Sequence, residues 1–154
     1  MALTAAAATI AAAEPVVTRK TPHLTFTAAL SSDIARSNSQ LTLTLNVAPN
    51  KGVHVYAPGS TYRAIAVTLD PNPLLSIGMT RYPQSSIYFF APLKESVPVY
   101  NEPFILRVPV AVGAIRRGTS AVRISGVVKY QACDDRVCFL PQSVPVAWTI
   151  SVAR

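Results

Sequence analysis

Apolar and polar residues alternate with a period of two along most of the chain. In the stretch LTLTLNV, apolar residues occupy positions 41, 43, 45 and 47, and threonine or asparagine occupies the positions between them. The stretches 104–112, 121–130 and 144–152 repeat this pattern. A period of two places every second side chain on the same face of an extended strand. The pattern therefore predicts four long strands that each bury one face.

Shorter segments suited to strands lie between turn-forming residues. They cover 23–30, 53–57, 64–69, 86–91 and 97–100, and turns such as APNKG at 48–52 separate them. No helical period follows residue 20, and the thirteen prolines favour strand edges and loops over helices. At 154 residues the chain has the length of one domain. We therefore expect an all-β, immunoglobulin-like antiparallel β-sandwich of seven to nine strands.

The N-terminal residues differ in composition from the rest. Residues 2–13, ALTAAAATIAAA, form a small apolar run that ends in an A-x-A pattern before Glu14, as in the last part of a secretory signal. The run is too short to span a bilayer, and proline or polar residues interrupt every later apolar run. We expect residues 1–21 to be a disordered leader, a possible signal-peptide remnant, and residues 22–154 to form the exported domain.

The chain is basic, with 14 lysines and arginines against 7 acidic residues. A nucleic-acid-binding surface would cluster these charges in a run, a basic helix or an aromatic-basic alternation. The basic residues are instead scattered along the chain, and their only adjacent pairs are 19–20 and 116–117. The charge pattern therefore argues against nucleic acid as a partner.

The two cysteines of the chain, Cys133 and Cys138, lie in the segment VVKYQACDDRVCFLP between two predicted strands. The polar residues between them form turns readily, so a disulfide is feasible. Closing a loop of about six residues stabilises a protein by only about 2 kcal/mol, which is little for a domain with a full core. A redox-active pair is favoured over a structural staple, although the staple remains an alternative. In that alternative, the disulfide pins a recognition loop of a non-catalytic binding module.

The surroundings of the pair bear on its chemistry. Structural zinc needs four ligands, and only His23 and His54 could join the cysteines, so we expect no metal and no other cofactor. Two acids between the cysteines disfavour a thiolate, whereas Lys129 and Arg136 favour it. The aromatic side chains of Tyr130 and Phe139 are near in sequence and are candidates for shielding the sulfurs from oxidants.

Three segments resemble one family in the same order along the chain. VVKYQACDDRVCFLPQSVPV is similar to the active-site segment of the N-terminal periplasmic domain of DsbD-type thiol:disulfide interchange proteins. KGVHVYAPG resembles an earlier Gly-x-His-x-Tyr segment of that family, and YPQSSIYFFAP followed by VPVYNEPFILRVPV resembles its loop and long strand. The resemblance covers about residues 22–152 and implies an immunoglobulin-like sandwich.

The resemblance also implies an activity, that of a protein-disulfide reductase. Reducing equivalents would pass from a thioredoxin-like donor domain, or a membrane reductase domain in cis or in trans, to periplasmic thiol-disulfide proteins, as in cytochrome c biogenesis. By position, Cys138 would form the mixed disulfide with partners and Cys133 would resolve it. The resemblance places His54 and Tyr56 beside the cysteines, and Phe89 or Phe90 as the aromatic of a covering loop. It implies a monomer in the periplasm, either free or as part of a membrane-anchored protein.

Overall fold

The computed structural model describes residues 17–32 and 34–153. Within them the chain forms strands and no helix. The first seven strands are β1 (Thr18–Lys20), β2 (Leu24–Leu30), β3 (Ile34–Ala35), β4 (Gln40–Pro49), β5 (His54–Tyr56), β6 (Ala66–Leu69) and β7 (Leu75–Ile77). The remaining six are β8 (Ser86–Phe90), β9 (Glu95–Tyr100), β10 (Phe104–Val112), β11 (Ala121–Tyr130), β12 (Ala132–Cys133) and β13 (Gln142–Val152).

The strands form three sheets. The first has the order β1-β2-β4-β10-β7, the second β3-β13-β11-β6, and the third β12-β5-β9-β8. All pairings are antiparallel except that of β3 with β13. The first two sheets contain the long strands, and the third contains only strands of six residues or fewer. The fold class predicted from the sequence, an all-β immunoglobulin-like antiparallel sandwich, is confirmed.

The apolar faces of the four long strands meet in one core. The residues with alternating spacing on β4, β10 and β11 are buried, as are Val146, Trp148 and Ile150 of β13. Trp148 also links two sheets, because its indole N–H donates a hydrogen bond of 3.1 Å to the backbone carbonyl of Thr44 in β4. Burial of this apolar area is the main driving force for the sandwich.

The strands that the sequence analysis did not predict are short or polar. Residues 18–20, assigned there to the leader, form β1 and pair with β2. All three are exposed, so they show no apolar period that would mark a strand. Strands β3, β7 and β12 have two or three residues each, too few for a period to be recognised. The proposed cleavage after residue 13 lies outside the described residues.

Across the described part of the chain, no helix has the length and apolar character needed to cross a membrane.

Candidate functional site

The cysteine segment is attached to the third sheet by a very short strand. In β12, Ala132 lies opposite Val55 and Cys133 lies opposite His54, both in β5. On its other side, the carbonyl of Ala132 accepts a 2.9 Å hydrogen bond from the amide of Phe139. Cys133 and Cys138 also lie opposite each other as an isolated antiparallel bridge. The two cysteines therefore sit at the base of a tight hairpin whose position is fixed by β5.

Asp134 shapes the turn of this hairpin. Its carboxylate accepts hydrogen bonds from the amides of Arg136 at 2.8 Å and Val137 at 2.7 Å. Its own amide donates to the carbonyl of Val137 at 3.0 Å. The amides of Val137 and Arg136 lower the pKa of Asp134 below its usual value, so the side chain stays ionised. An aspartate in this role favours the turn without any contribution from the disulfide.

Cys133 and Cys138 form a disulfide, with their Cα atoms 4.1 Å apart. The two sulfurs differ in access to solvent. Cys133 is fully buried, whereas Cys138 is partly exposed and lies beside the exposed Val137. Cys138 is therefore the more accessible of the two sulfurs.

The Tyr56 side chain, at the end of β5, reaches both sulfurs. Its hydroxyl lies 2.9 Å from Sγ of Cys133 and 3.2 Å from Sγ of Cys138. Because the sulfurs of a disulfide carry no proton, the phenol is the donor. Burial, together with Tyr62 and Glu95, raises the pKa of Tyr56 to about 12, so the phenol keeps its proton at neutral pH. Tyr56 is thus a neutral hydrogen-bond donor aimed at the disulfide.

Two further tyrosines complete the apolar cluster around the cysteines. Tyr62 stacks on Tyr56 with ring centroids 4.5 Å apart, and its hydroxyl donates a 2.6 Å hydrogen bond to Glu95 at the start of β9. Tyr88 of β8 packs on His54 with ring centroids 4.2 Å apart. Both tyrosines contact the cluster that contains Cys133. The β8–β9 hairpin is thereby tied to the disulfide through side chains.

His54 is buried, with 3% of its surface exposed. Its Nε2 atom has no hydrogen-bond partner among the described residues. Burial lowers the pKa of His54 below its ordinary value, although the carboxylate of Asp134 partly opposes this effect. The imidazole is therefore neutral at pH 7.

Four of the residues predicted for the site do not belong to the cluster around the cysteines. Phe139 stacks on His23 at 4.2 Å, and Tyr130 lies in the main core, where its hydroxyl is 2.9 Å from that of Thr21. Phe90 is buried, and Phe89 is 58% exposed. Alternation along β8 directs Tyr88 rather than Phe89 toward His54. The expectation that Phe89 or Phe90 is the aromatic of a covering loop stays a prediction.

Tyr62 and Tyr88 were not predicted as site residues. Tyr62 lies in an irregular segment after β5, where no local pattern indicates its neighbours. Tyr88 lies in a predicted strand, but only the pairing of β8 with β9 and of β9 with β5 brings it near His54. Such contacts depend on topology, which the sequence pattern did not specify.

No group of three or more histidine, cysteine or acidic side chains in residues 17–32 and 34–153 is arranged to hold a metal ion.

Comparison with known proteins identifies similar domains. The family model described as "Thiol:disulfide interchange protein DsbD, N-terminal" matches residues 22–148. No curated protein matches the chain with statistical significance.

Solved structures with a similar fold include the N-terminal periplasmic domain of ScsB from Proteus mirabilis. It has a TM-score of 0.59 and 13% sequence identity, and the match covers 87% of this chain and 49% of that one. The chain thus spans about half the length of the ScsB domain. The reduced N-terminal domain of DsbD from Neisseria meningitidis has a TM-score of 0.46 and 21% identity, with 71% and 75% of the two chains covered.

The hydrogen bonds from Tyr56 lead to a prediction for the reduced protein. A hydrogen bond to a charged group contributes about 1.5–3 kcal/mol, and 1.36 kcal/mol corresponds to about one pKa unit. Tyr56→Phe should therefore raise the pKa of the more acidic thiol by about one unit, measured from the pH dependence of alkylation by iodoacetamide. Tyr88→Phe is the matched control, because it removes a phenol of the same cluster that does not bond to sulfur. Equal alkylation profiles for wild type and Tyr56→Phe would contradict this role of the phenol.

Burial of His54 predicts a pH dependence of stability. Because its folded-state pKa is lower than the unfolded value of 6.5, the unfolded chain binds the proton more readily. The free energy of unfolding should therefore decrease as the pH falls below 6.5, until the folded-state pKa is passed. Urea denaturation of the oxidised protein between pH 7.5 and 5 measures this decrease. His54→Phe retains a ring against Tyr88 and should lose less stability over the same range; an identical loss in both proteins would show that His54 is not its source.

Proposed function

The chain belongs to the family of N-terminal domains of DsbD thiol:disulfide interchange proteins, and we propose that its Cys133–Cys138 pair relays reducing equivalents between other proteins. Family membership and the disulfide together support thiol-disulfide exchange in general. The relay assigns a direction to the electron flow and a separate role to each sulfur. The domain would act as a protein-disulfide reductase, alone or as one domain of a larger enzyme.

The observation that carries the proposal is the unequal environment of the two sulfurs. Cys138 is accessible, whereas Cys133 is buried under the Tyr56 phenol. An exchange reaction needs one sulfur that can be attacked and a second that leaves as a stabilised thiolate. A bridge with only a structural role needs neither property.

The first half of the proposed reaction reduces the domain. A thiolate of the donor attacks Sγ of Cys138, a new S–S bond forms, and the bond between Cys138 and Cys133 breaks. The electron pair of that bond remains on Cys133, whose thiolate accepts the 2.9 Å hydrogen bond from Tyr56. The second donor thiol then displaces Cys138, which leaves the donor oxidised and both cysteines of this domain reduced.

The second half passes the electrons on. The Cys138 thiolate attacks a disulfide of the recipient protein and forms a mixed disulfide with one of its sulfurs. Cys133, positioned beside it, then attacks Cys138 and releases the recipient as a dithiol. The domain returns to its disulfide form, so that two electrons have moved without any cofactor.

The proposed partners are those that membership in the family implies. The donor is a thioredoxin-like domain or a membrane reductase domain, in cis or in trans, and the recipients are periplasmic thiol-disulfide proteins, including those of cytochrome c biogenesis. The ScsB domain is periplasmic by its description, which supports the same location for this chain. The exposed side chains of Val137 and Leu140 flank Cys138 and offer an apolar surface for such partners.

Trapping tests the assignment of the two sulfurs. In Cys133→Ala, Cys138 should attack a recipient disulfide but no residue should resolve the product, so a mixed disulfide accumulates. A non-reducing gel followed by mass spectrometry of periplasmic extract should show adducts through Cys138 that disappear with dithiothreitol. The donor reaction is tested separately with a purified thioredoxin-like domain.

The matched control is Cys138→Ala, which leaves one cysteine at the same hairpin but buries its sulfur. It should trap little or nothing. If the two variants trap partners equally, or if neither reacts while both remain folded, the proposed relay is incorrect and the structural-bridge alternative is favoured.

A further inference from the structure

A second group of polar side chains lies on the first sheet, away from the strands that carry the cysteines. Two arginines, Arg81 and Arg107, lie directly opposite each other as an isolated antiparallel bridge. The amide of Arg81 donates to the carbonyl of Arg107 at 2.7 Å, and the amide of Arg107 donates back at 3.2 Å. Because residues opposite each other in such a pair share a face of the sheet, the two guanidinium groups project on the same side.

A bulge creates this pairing. The amide of Gly78 donates a hydrogen bond to the carbonyl of Pro109. Arg81 lies three residues after Gly78, but its partner Arg107 lies only two residues before Pro109. The segment after β7 thus holds one extra residue relative to β10. Without it Thr80, not Arg81, would lie opposite Arg107. Bulges redirect side chains and are frequent near functional sites.

The arginine pair has no neutralising partner in the described chain. Like charges directly opposite each other destabilise a sheet. In residues 17–32 and 34–153, the ion pair present joins Arg136 to Asp135, and neither Arg81 nor Arg107 contacts a carboxylate. The bulge therefore places two cations together at a cost that a bound anion would offset.

The two arginines border a cavity of about 420 Å³, a size typical of small-ligand sites. Small residues form its floor: Thr42 lies opposite Pro109, and a Cβ atom on Gly78 would lie 2.8 Å from the Pro109 ring. Four of the other lining residues carry hydroxyl or amide groups that can donate hydrogen bonds, namely Ser31, Gln40, Thr42 and Ser76. Ser31 Oγ accepts the Thr42 amide at 2.8 Å, which leaves the hydroxyl proton to donate.

From this arrangement we propose that the cavity binds a phosphate group, either as the free ion or as a phosphate ester. Guanidinium groups match the oxygens of phosphate in pairs of parallel hydrogen bonds. Two of them balance the double charge of phosphate at neutral pH, and the hydroxyl donors reach its other oxygens. Among the residues that the structure describes, no carboxylate lines the cavity to repel such a ligand.

Titration of the ¹⁵N-labelled protein with sodium phosphate, and separately with glycerol 3-phosphate, tests the proposal. Ionic strength is held constant with sodium chloride at pH 7.5. Saturable shifts of the amide signals of Gly78, Arg81 and Arg107 are expected, and Arg81→Gln or Arg107→Gln should weaken binding about tenfold, as expected for loss of charge-assisted hydrogen bonds. Tighter binding of the ester would assign the site to an esterified ligand, and equal binding would assign it to the free ion.

A single variant, Arg116→Gln, removes the same charge from an exposed turn and serves as the control. It should bind phosphate like the wild type. Shifts that never saturate, or binding lost equally in the control and in the Arg81 and Arg107 variants, would overturn the proposal. The spectrum of each variant also reports whether it is folded.

Discussion

The short pairing of β12 with β5 fixes the position of both sulfurs. Cys133 is held opposite His54 by the backbone, and Phe139 returns to bond with Ala132 on the other side. The cysteine hairpin therefore cannot move independently of β5. Since β5 also carries Tyr56, the same strand that places the disulfide places the phenol that contacts it. One local interaction thus determines how the disulfide and the phenol lie relative to each other.

The Tyr56 phenol gives this geometry a chemical consequence. A buried hydroxyl without a partner costs about 1–3 kcal/mol, so its proton must be directed to an acceptor. Both acceptors that the structure gives it are the cysteine sulfurs, at 2.9 and 3.2 Å. A disulfide sulfur is a weak acceptor and a thiolate a strong one. The phenol therefore stabilises the reduced pair more than the oxidised pair, which suits a disulfide that opens and closes.

The positions of Tyr62 and Tyr88, the two tyrosines around the disulfide, depend on the third sheet. Tyr62 is held over Tyr56 by its bond to Glu95, and Tyr88 is held against His54 by the β8–β9 hairpin. These contacts shield Cys133 while Cys138 remains accessible. The burial that shields the sulfur also keeps His54 neutral, so shielding and the protonation state of the site have a common origin.

The sequence predicted the parts of this structure that depend on an apolar alternation sustained along a whole strand or on a specific motif. The strands at 104–112 and 121–130 have the predicted limits, because an uninterrupted period of two defines them. The family was also identified correctly, from the cysteine segment and two further segments in the same order. The sequence did not reveal Tyr62 or Tyr88, since their contacts depend on how three short strands pair. It did not reveal the arginine pair either, because a one-residue bulge sets its register.

The reduction potential of the Cys133–Cys138 pair tests the central claim most directly. It is measured by equilibrating the protein with defined dithiothreitol or glutathione buffers and quantifying the reduced fraction by alkylation. A pair that exchanges electrons with periplasmic proteins should have a potential well above about −300 mV. A potential below about −300 mV would identify a structural bridge and contradict the account.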